Sequence, residues 1–169
     1  MMDTMTNLDE FISPKLRPRT LDIYFVRNAI FAALNQVLPF LSGTLLDVGC
    51  GQMPYRDFIL SHGRVTRYLG LDLENNALYR NAPDITWDGE TVPLPENSVD
   101  CVTATELLEH CPEPDGTLTE IFRVLQPGGY SFSRSLFSGR CMISPTTSTA
   151  TPLLPSSDCW QEPVLCRSG

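Results

Sequence analysis

The chain has 169 residues, of which 42% are apolar and 19% charged, a length that suits one domain with a buried core and is short for two. With 20 acidic and 12 basic residues the net charge is −8. No basic stripe of the kind that neutralises phosphates occurs, so we expect no nucleic-acid partner.

The cysteines and the N-terminal region favour a cytoplasmic protein. The six cysteines show no CxxC spacing, and the two histidines do not complete a zinc set with them, so we expect no metal. The first residues include acidic side chains and no apolar segment typical of a secretory signal. Charged and amide residues interrupt the apolar stretch at 21–41, which disfavours a membrane span, so we expect a reduced cytoplasmic location.

Composition changes abruptly near residue 130. Residues 1–130 hold 18 acidic and nine basic side chains, whereas residues 131–169 hold two acidic and three basic ones. In the second part 17 of 39 residues are Ser, Thr or Pro, which bury too little apolar area to offset the entropy of ordering. We therefore predict a flexible lead-in at 1–19, a domain at 20–130 and an irregular tail at 131–169.

Helix and strand patterns alternate through the predicted domain. Thr20 can cap a helix over about 21–38, where apolar residues recur at helical spacing. The short apolar run at 44–48 ends in a glycine turn and predicts a buried strand. Further helices are predicted at 53–61, 107–110 and 117–125, and further strands at 67–72, 85–88, 99–103 and from residue 130 onward.

This alternation predicts an α/β fold. We expect a Rossmann-like parallel sheet with helices on both faces, incomplete after the fifth strand. In such sheets a ligand binds beyond the carboxyl ends of the strands.

Two glycines and two acidic residues stand at the predicted ligand-binding edge. Gly49 and Gly51 allow close approach of the backbone to a ligand, and Asp72, 21 residues after Gly51, can accept hydrogen bonds from ribose hydroxyls. Asp47 disfavours a nicotinamide dinucleotide, because a carboxylate beside this turn repels a pyrophosphate. Pro54 also stands where the dinucleotide fingerprint has its third glycine. S-adenosylmethionine has no phosphate and carries two cationic groups. A carboxylate attracts these groups, so Asp47 favours this cofactor.

From about residue 45 to residue 130 the sequence resembles the class I S-adenosylmethionine-dependent methyltransferases, in the group called methyltransferase type 11. LLDVGCG resembles the first motif of that family, and LGLD resembles the segment with its ribose-binding acid. WDGETVPLPENSVDCVTATELLEHC resembles the adenine-side segment, and EIFRVLQPGG resembles the helix and turn before the fifth strand. The four motifs occur in the family's order and spacing, which is more specific than any one of them.

The resemblance implies S-adenosylmethionine as the cofactor and assigns a set of residues to it. Glycines of the turn would lie behind its methionine part, Asp47 would reach its amino group, and Asp72 would hold the ribose. The implied set is Asp47, Gly49, Cys50, Gly51, Asp72, Leu73, Asp88, Gly89 and Glu106, with Leu73, Asp88 and Gly89 at the adenine and Glu106 near the methionine end.

Catalytic residues are less defined, because displacement at a sulfonium requires a general base only when the acceptor is protonated. His110 is the one candidate to face the substrate, although a histidine at a helix end is also typical of a cap or a surface residue.

The resemblance implies methyl transfer to an unidentified small-molecule or saccharide acceptor. One alternative is an inactive or non-catalytic remnant that still binds S-adenosylmethionine. A disfavoured alternative is an NAD-dependent oxidoreductase.

The resemblance stops after PGGY at 127–130, and our hypothesis is that residues 131–169 are read in a shifted frame. With synonymous codons chosen freely and a shift of one base, MISPTTSTATPLLP can be re-read as HDIPYDFHRYTPFA. The flanking segments become FLFSVPFFWPL and ELRLLAGAGFVQIR. The re-read segment contains an apolar strand, a polar loop, an amphipathic helix and a glycine turn into another strand, in the order that this fold needs. PYDFHRYTP also resembles the segment that follows the fifth strand in this methyltransferase group.

We therefore predict that the nucleotide sequence contains a one-base insertion or deletion near codon 130. Sequencing of genomic reads across this codon checks the prediction. An uninterrupted frame in those reads would show that 131–169 are encoded as written.

Overall fold

A computed structural model describes residues 9–73 and 82–134, together with the backbone of 141–145. It contains four α-helices, labelled α1 to α4: Asp9–Ile12, Leu21–Val37, Arg56–His62 and Pro114–Val124. Short 3-10 segments occur at Pro18–Thr20, Leu38–Phe40 and Leu108–His110. Within the described ranges, none of the helices has the length and apolar character that a membrane span requires.

Six strands, β1 to β6, form one sheet in the order β3-β2-β1-β4-β5-β6. Their bounds are Ser42–Val48, Arg64–Leu73, Ile85–Trp87, Val99–Thr105, Leu125–Arg134 and Cys141–Pro145. The first five strands pair in parallel, and β6 pairs with β5 in antiparallel orientation. The predicted Rossmann-like parallel sheet is therefore confirmed.

Two apolar layers cover the sheet, because successive side chains of a strand point to opposite faces. Leu45 of β1 packs with α2 and with Ile59 of α3. Its neighbour Leu46 packs on the opposite face with Ile121 of α4. This alternation explains why a short run of consecutive apolar residues forms a strand that is buried on both sides.

The structure differs from the sequence expectations at both ends of the domain. Residues 9–12 of the predicted lead-in form α1, because Phe11 and Ile12 pack against the core. Residues 131–134 of the predicted tail continue β5, and the backbone of 141–145 adds β6. The remaining tail and residues 1–8 lie outside the described residues.

The start of β5 also differs from the prediction. We expected the strand to begin after the Pro-Gly-Gly turn, but it begins at Leu125 and includes this turn, with an irregular register opposite β4. Gly128 has a left-handed φ of 82°. A Cβ on Gly129 would lie 2.7 Å from the carbonyl oxygen of Asp100, so close packing against β4 requires glycine there.

Arg123 of α4 holds the segment that leads into β4. Its guanidinium donates to the carbonyl oxygens of Val92 and Leu94, at 2.7 and 2.9 Å. It also donates to both carboxylate oxygens of Glu120, and Glu120 accepts the Val92 N–H at 2.9 Å. Helix α4 thereby fixes the chain that joins β3 to β4.

Replacing Arg123 by methionine should lower the free energy of unfolding by about 1 to 3 kcal/mol, because the Leu94 carbonyl oxygen loses its donor and Glu120 loses its charged partner, while the Val92 carbonyl oxygen keeps only the Leu94 N–H. Urea unfolding of Arg123→Met and wild type measures the difference. Arg67→Met, at an exposed position of β2, is the matched control and should unfold like wild type. Equal decreases in the free energy of unfolding of the two variants would contradict this role of Arg123.

Candidate functional site

The turn after β1 depends on glycine. Gly49 and Gly51 have left-handed φ values of 72° and 52°, which glycine adopts without a steric penalty. The N–H groups of Gly49 and Cys50 donate to the carbonyl oxygen of Leu71 at 2.8 and 3.1 Å. A Cβ on Gly49 would lie 2.9 Å from Cδ1 of Leu107. The turn is therefore held against the end of β2 with no room for a side chain at Gly49.

Asp72 joins this turn to the carboxyl end of β2. Its carboxylate accepts the N–H of Gly51 and the N–H of Leu73, both at 2.8 Å. The residue is only 8% exposed. Each carboxylate oxygen can accept more than one hydrogen bond, so both retain capacity for a ligand hydroxyl.

Leu73, Asp88 and Gly89 meet at the ends of β2 and β3. Leu73 is 48% exposed, and its Cδ2 would lie 3.3 Å from a Cβ placed on Gly89, which has a φ of 90°. Asp88 accepts the N–H groups of Glu90 and Thr91 at 2.8 and 2.9 Å. These backbone hydrogen bonds lower the pKa of Asp88. The structure thus brings together the three residues that the family resemblance assigned to the adenine-binding part of the site.

Asp47 is buried to about the same extent as Asp72 and is 7% exposed. Its carboxylate accepts hydrogen bonds from the Tyr68 hydroxyl and from Oγ1 of Thr103, the latter at 2.7 Å. Burial raises the pKa of Asp47 to about 6, and the charge of Asp72 adds to the increase, although the two hydrogen bonds oppose it. Both oxygens therefore contact protein donors on the neighbouring strands. Contact of Asp47 with a cofactor amino group stays a prediction.

Cys50 contributes a neutral side chain to the turn. Burial raises the pKa of its thiol, and the nearby carboxylates of Asp47 and Asp72 raise it further. A Cβ on Gly70 would lie 2.9 Å from Sγ of Cys50 and 2.7 Å from Sδ of Met53. Gly70 therefore leaves space in which these two sulfur atoms pack.

Glu106 and His110 follow the end of β4. Glu106 has a left-handed φ of 56°, and its N–H donates to the carbonyl oxygen of Arg134 at 2.8 Å. Burial and the charge of Glu109 raise the pKa of Glu106, whereas Arg27 and His110 lower it. His110 is exposed at the end of its 3-10 segment. Its role in catalysis stays a prediction.

Sequence reasoning missed two residues near this edge of the sheet. Tyr55 is buried immediately before α3, and Arg27 of α2 places its guanidinium 3.8 Å from the ring centre of Phe11. Position after the glycine turn could have singled out Tyr55. Arg27 carried no local signal, because it is distant in sequence from every motif.

These features define a Rossmann-like α/β protein with a candidate cofactor site at the carboxyl ends of β1 to β4. The family profile described as a methyltransferase domain matches residues 46–133, just over half of the chain. The chain therefore belongs to this family of class I S-adenosylmethionine-dependent methyltransferases.

Curated relatives match over part of their length. A fatty-acid O-methyltransferase of Mycolicibacterium smegmatis is 31% identical over 94 residues, which cover 51% of this chain and 34% of the relative. A ubiquinone biosynthesis O-methyltransferase of Burkholderia vietnamiensis is 31% identical over 131 residues, which cover 64% of this chain and 56% of the relative. The chain thus spans about a third to about half of the length of these two relatives.

A solved structure supports the fold. The S-adenosylmethionine-dependent methyltransferase of Mesorhizobium loti superposes with a TM-score of 0.54 at 24% identity. The superposition covers 69% of this chain and 63% of that one.

The raised pKa of Asp47 predicts a specific pH dependence of stability. Between about pH 4 and pH 6 the folded chain retains a proton that the unfolded chain releases, so the free energy of unfolding falls as pH rises through this range. A shift of about two pKa units corresponds to about 3 kcal/mol. Because asparagine does not ionise, Asp47→Asn should lose the part of this decrease that Asp47 contributes and keep the part that comes from the raised pKa of Glu106.

Urea unfolding at pH 4 and pH 7.5 measures the decrease in wild type and in Asp47→Asn. Asp57→Asn, at an exposed position of α3, is the control and should retain the wild-type dependence. The same decrease in all three proteins would contradict the assignment to Asp47.

Proposed function

We propose that this chain binds S-adenosylmethionine and belongs to an enzyme that transfers its methyl group to a small-molecule or saccharide acceptor. The observation that carries the proposal is the hydrogen bond from the Gly51 N–H to the Asp72 carboxylate. It joins the glycine turn of the family's first motif to the acidic residue that ends β2.

The chemistry of the site fits this cofactor. A ribose offers two hydroxyl donors, and the Asp72 carboxylate has lone pairs to accept them. Leu73 offers an exposed apolar surface beside Gly89 at which an adenine ring can pack. Asp47 and Asp72 give the turn a negative potential, which favours a cationic ligand over a pyrophosphate.

Other parts of the site complete the proposed assignment. The backbone of Gly49, Cys50 and Gly51 lies behind the methionine part, Asp88 and Gly89 face the adenine edge, and Glu106 lies near the methionine end. The bound cofactor supplies a methyl group already activated on a sulfonium. The residues of the chain orient the reacting groups and exclude water, which is the main protein contribution to such a displacement.

The names of the relatives support a small acceptor. They include O-methyltransferases of fatty acids and of ubiquinone biosynthesis, and sterol 24-C-methyltransferases. These acceptors share a small size rather than one functional group.

Replacing Asp72 by alanine should weaken S-adenosylmethionine binding by about tenfold or more, because the ribose loses its acceptor and the Gly51 N–H loses its partner. Isothermal titration calorimetry of wild type and Asp72→Ala measures the change. Asp57→Ala is the control and should bind like wild type. Unchanged affinity in Asp72→Ala would remove this residue from the site.

The same titration separates the alternative functions. Wild type should bind S-adenosylmethionine and S-adenosylhomocysteine and give no signal with NAD. Binding of NAD alone would contradict the proposal and indicate an NAD-dependent oxidoreductase. Binding of the first two without methyl transfer to any tested acceptor would favour the non-catalytic alternative.

A further inference from the structure

Two polar atoms, one after the glycine turn that follows β1 and one after β4, are buried without a hydrogen-bond partner among the described residues. They are the hydroxyl oxygen of Tyr55 and Oε1 of Glu106. Buried polar groups in proteins are nearly always paired, so each exception requires an explanation, and an absent ligand is one. Tyr55 is only 7% exposed, so solvent does not satisfy its hydroxyl.

Tyr55 follows β1 and Glu106 follows β4, and because these strands are parallel neighbours, both residues come after the same edge of the sheet. The Glu106 charge raises the pKa of Tyr55, after the larger effect of burial, and the Arg27 guanidinium lowers it. Arg27 also lowers the pKa of Glu106. The backbone conformation of Glu106 is left-handed and therefore strained, as often occurs where a side chain is directed into a functional site.

The groups around this pair restrict what can bind there. Glu106 accepts a proton or a hydrogen bond, and the Tyr55 hydroxyl, which stays protonated, can donate one. Glu109 acts on Glu106 and Asp47 acts on Tyr55, and with Glu106 itself these carboxylates outnumber the Arg27 guanidinium that acts on both residues, so an anionic ligand group is disfavoured. A neutral hydroxyl, which donates one hydrogen bond and accepts another, matches both groups.

We propose that Tyr55 and Glu106 form the subsite for the acceptor hydroxyl, and that the methyl acceptor is an alcohol or a phenol rather than a carboxylate. This inference rests on the proposed function. The Glu106 carboxylate accepts the hydroxyl proton, and the Tyr55 hydroxyl orients the acceptor oxygen.

The proposed transfer balances without a further reactant. The acceptor oxygen forms a bond to the methyl carbon while the carbon–sulfur bond breaks, and the bonding electron pair remains on sulfur. The hydroxyl proton moves to Glu106. The products are a methyl ether and the neutral thioether form of the cofactor, and the proton later passes from Glu106 to solvent.

Helix α1 lies beside this subsite. The ring of Phe11 contacts Tyr55 edge to face, with ring centres 6.2 Å apart. The polar contacts of α1 with α2 are long: Arg27 lies 3.4 Å from the carbonyl oxygen of Glu10 and 3.9 Å from its carboxylate. Helix α1 thereby contributes the ring of Phe11 as an apolar surface beside Tyr55.

Phenol is a suitable probe, because it carries a hydroxyl on an apolar ring that suits the aromatic side chains Phe11 and Tyr55. Benzoate has a similar size but carries a carboxylate. Ligand-observed NMR titrations with the protein saturated in S-adenosylhomocysteine should show tighter binding of phenol than of benzoate. Equal or tighter binding of benzoate would overturn the assignment to a hydroxyl.

The variant Tyr55→Phe tests the hydroxyl directly. Phenol binding should weaken by about fivefold or more, since one hydrogen bond is lost. The melting temperature of the ligand-free variant should equal or exceed that of wild type, because an unpaired buried hydroxyl is removed. Tyr130→Phe, in β5, is the matched control and should leave phenol binding unchanged. A lower melting temperature without weaker phenol binding would show a structural role and overturn the inference.

The variant Glu106→Gln tests the carboxylate through a pH profile. Phenol binding to wild type should strengthen as pH rises through the raised pKa of Glu106, because the ionised carboxylate is a stronger hydrogen-bond acceptor than the protonated form. Glu109, Arg27, His110 and Tyr55 face Glu106 and set the position of this step. Glu106→Gln should bind phenol more weakly and with no such step. An unchanged increase of phenol affinity with pH in the variant would overturn the role of Glu106.

The outcomes separate this inference from the proposed function. If wild type binds S-adenosylhomocysteine but not phenol, the acceptor subsite is wrong and the cofactor assignment stands. If wild type does not bind S-adenosylhomocysteine, the proposed function itself is contradicted.

Discussion

The buried carboxylate of Asp47 connects the three central strands of the sheet. It accepts hydrogen bonds from Tyr68 of β2 and Thr103 of β4, and it lies in β1 between them. A buried charge is unfavourable unless it is hydrogen-bonded, so the carboxylate favours the arrangement in which both neighbouring strands are in register. Because the glycine turn begins two residues later, the same contacts position the turn from which the candidate cofactor site is built.

The site follows from the parallel arrangement of the strands. Carboxyl ends of parallel strands lie at one edge, so turns that are distant in sequence meet there. Asp72, Gly89 and Glu106 reach this edge from β2, β3 and β4. The carboxylates of Asp72 and Glu106 create a negative potential, and Leu73 beside Gly89 adds apolar surface, which suits a cationic cofactor that carries an adenine.

Several elements could be predicted from local patterns, and others could not. The buried strand at β1 and the long helix α2 follow from apolar runs and helical spacing, and both form close to their predicted positions. The start of β5 was misplaced, because the Pro-Gly-Gly turn is accommodated by contact with Asp100 of β4, and a local pattern does not contain this contact. Phe11 and Ile12 were assigned to a loose lead-in for the same reason, since their partners in the core are distant in sequence.

The class of fold, the glycine turn and the acidic residues at the strand ends could be predicted from the amino-acid sequence, because these depend on residue type and short spacing. The burial and the hydrogen-bond partners of each carboxylate became apparent only from the tertiary structure. Asp47 is enclosed by protein donors, Asp72 is bonded to the turn, and Oε1 of Glu106 is buried without a hydrogen-bond partner among the described residues. Burial and hydrogen bonding determine the charge state of an acidic group, and both arise from contacts between residues that the chain brings together only when it folds.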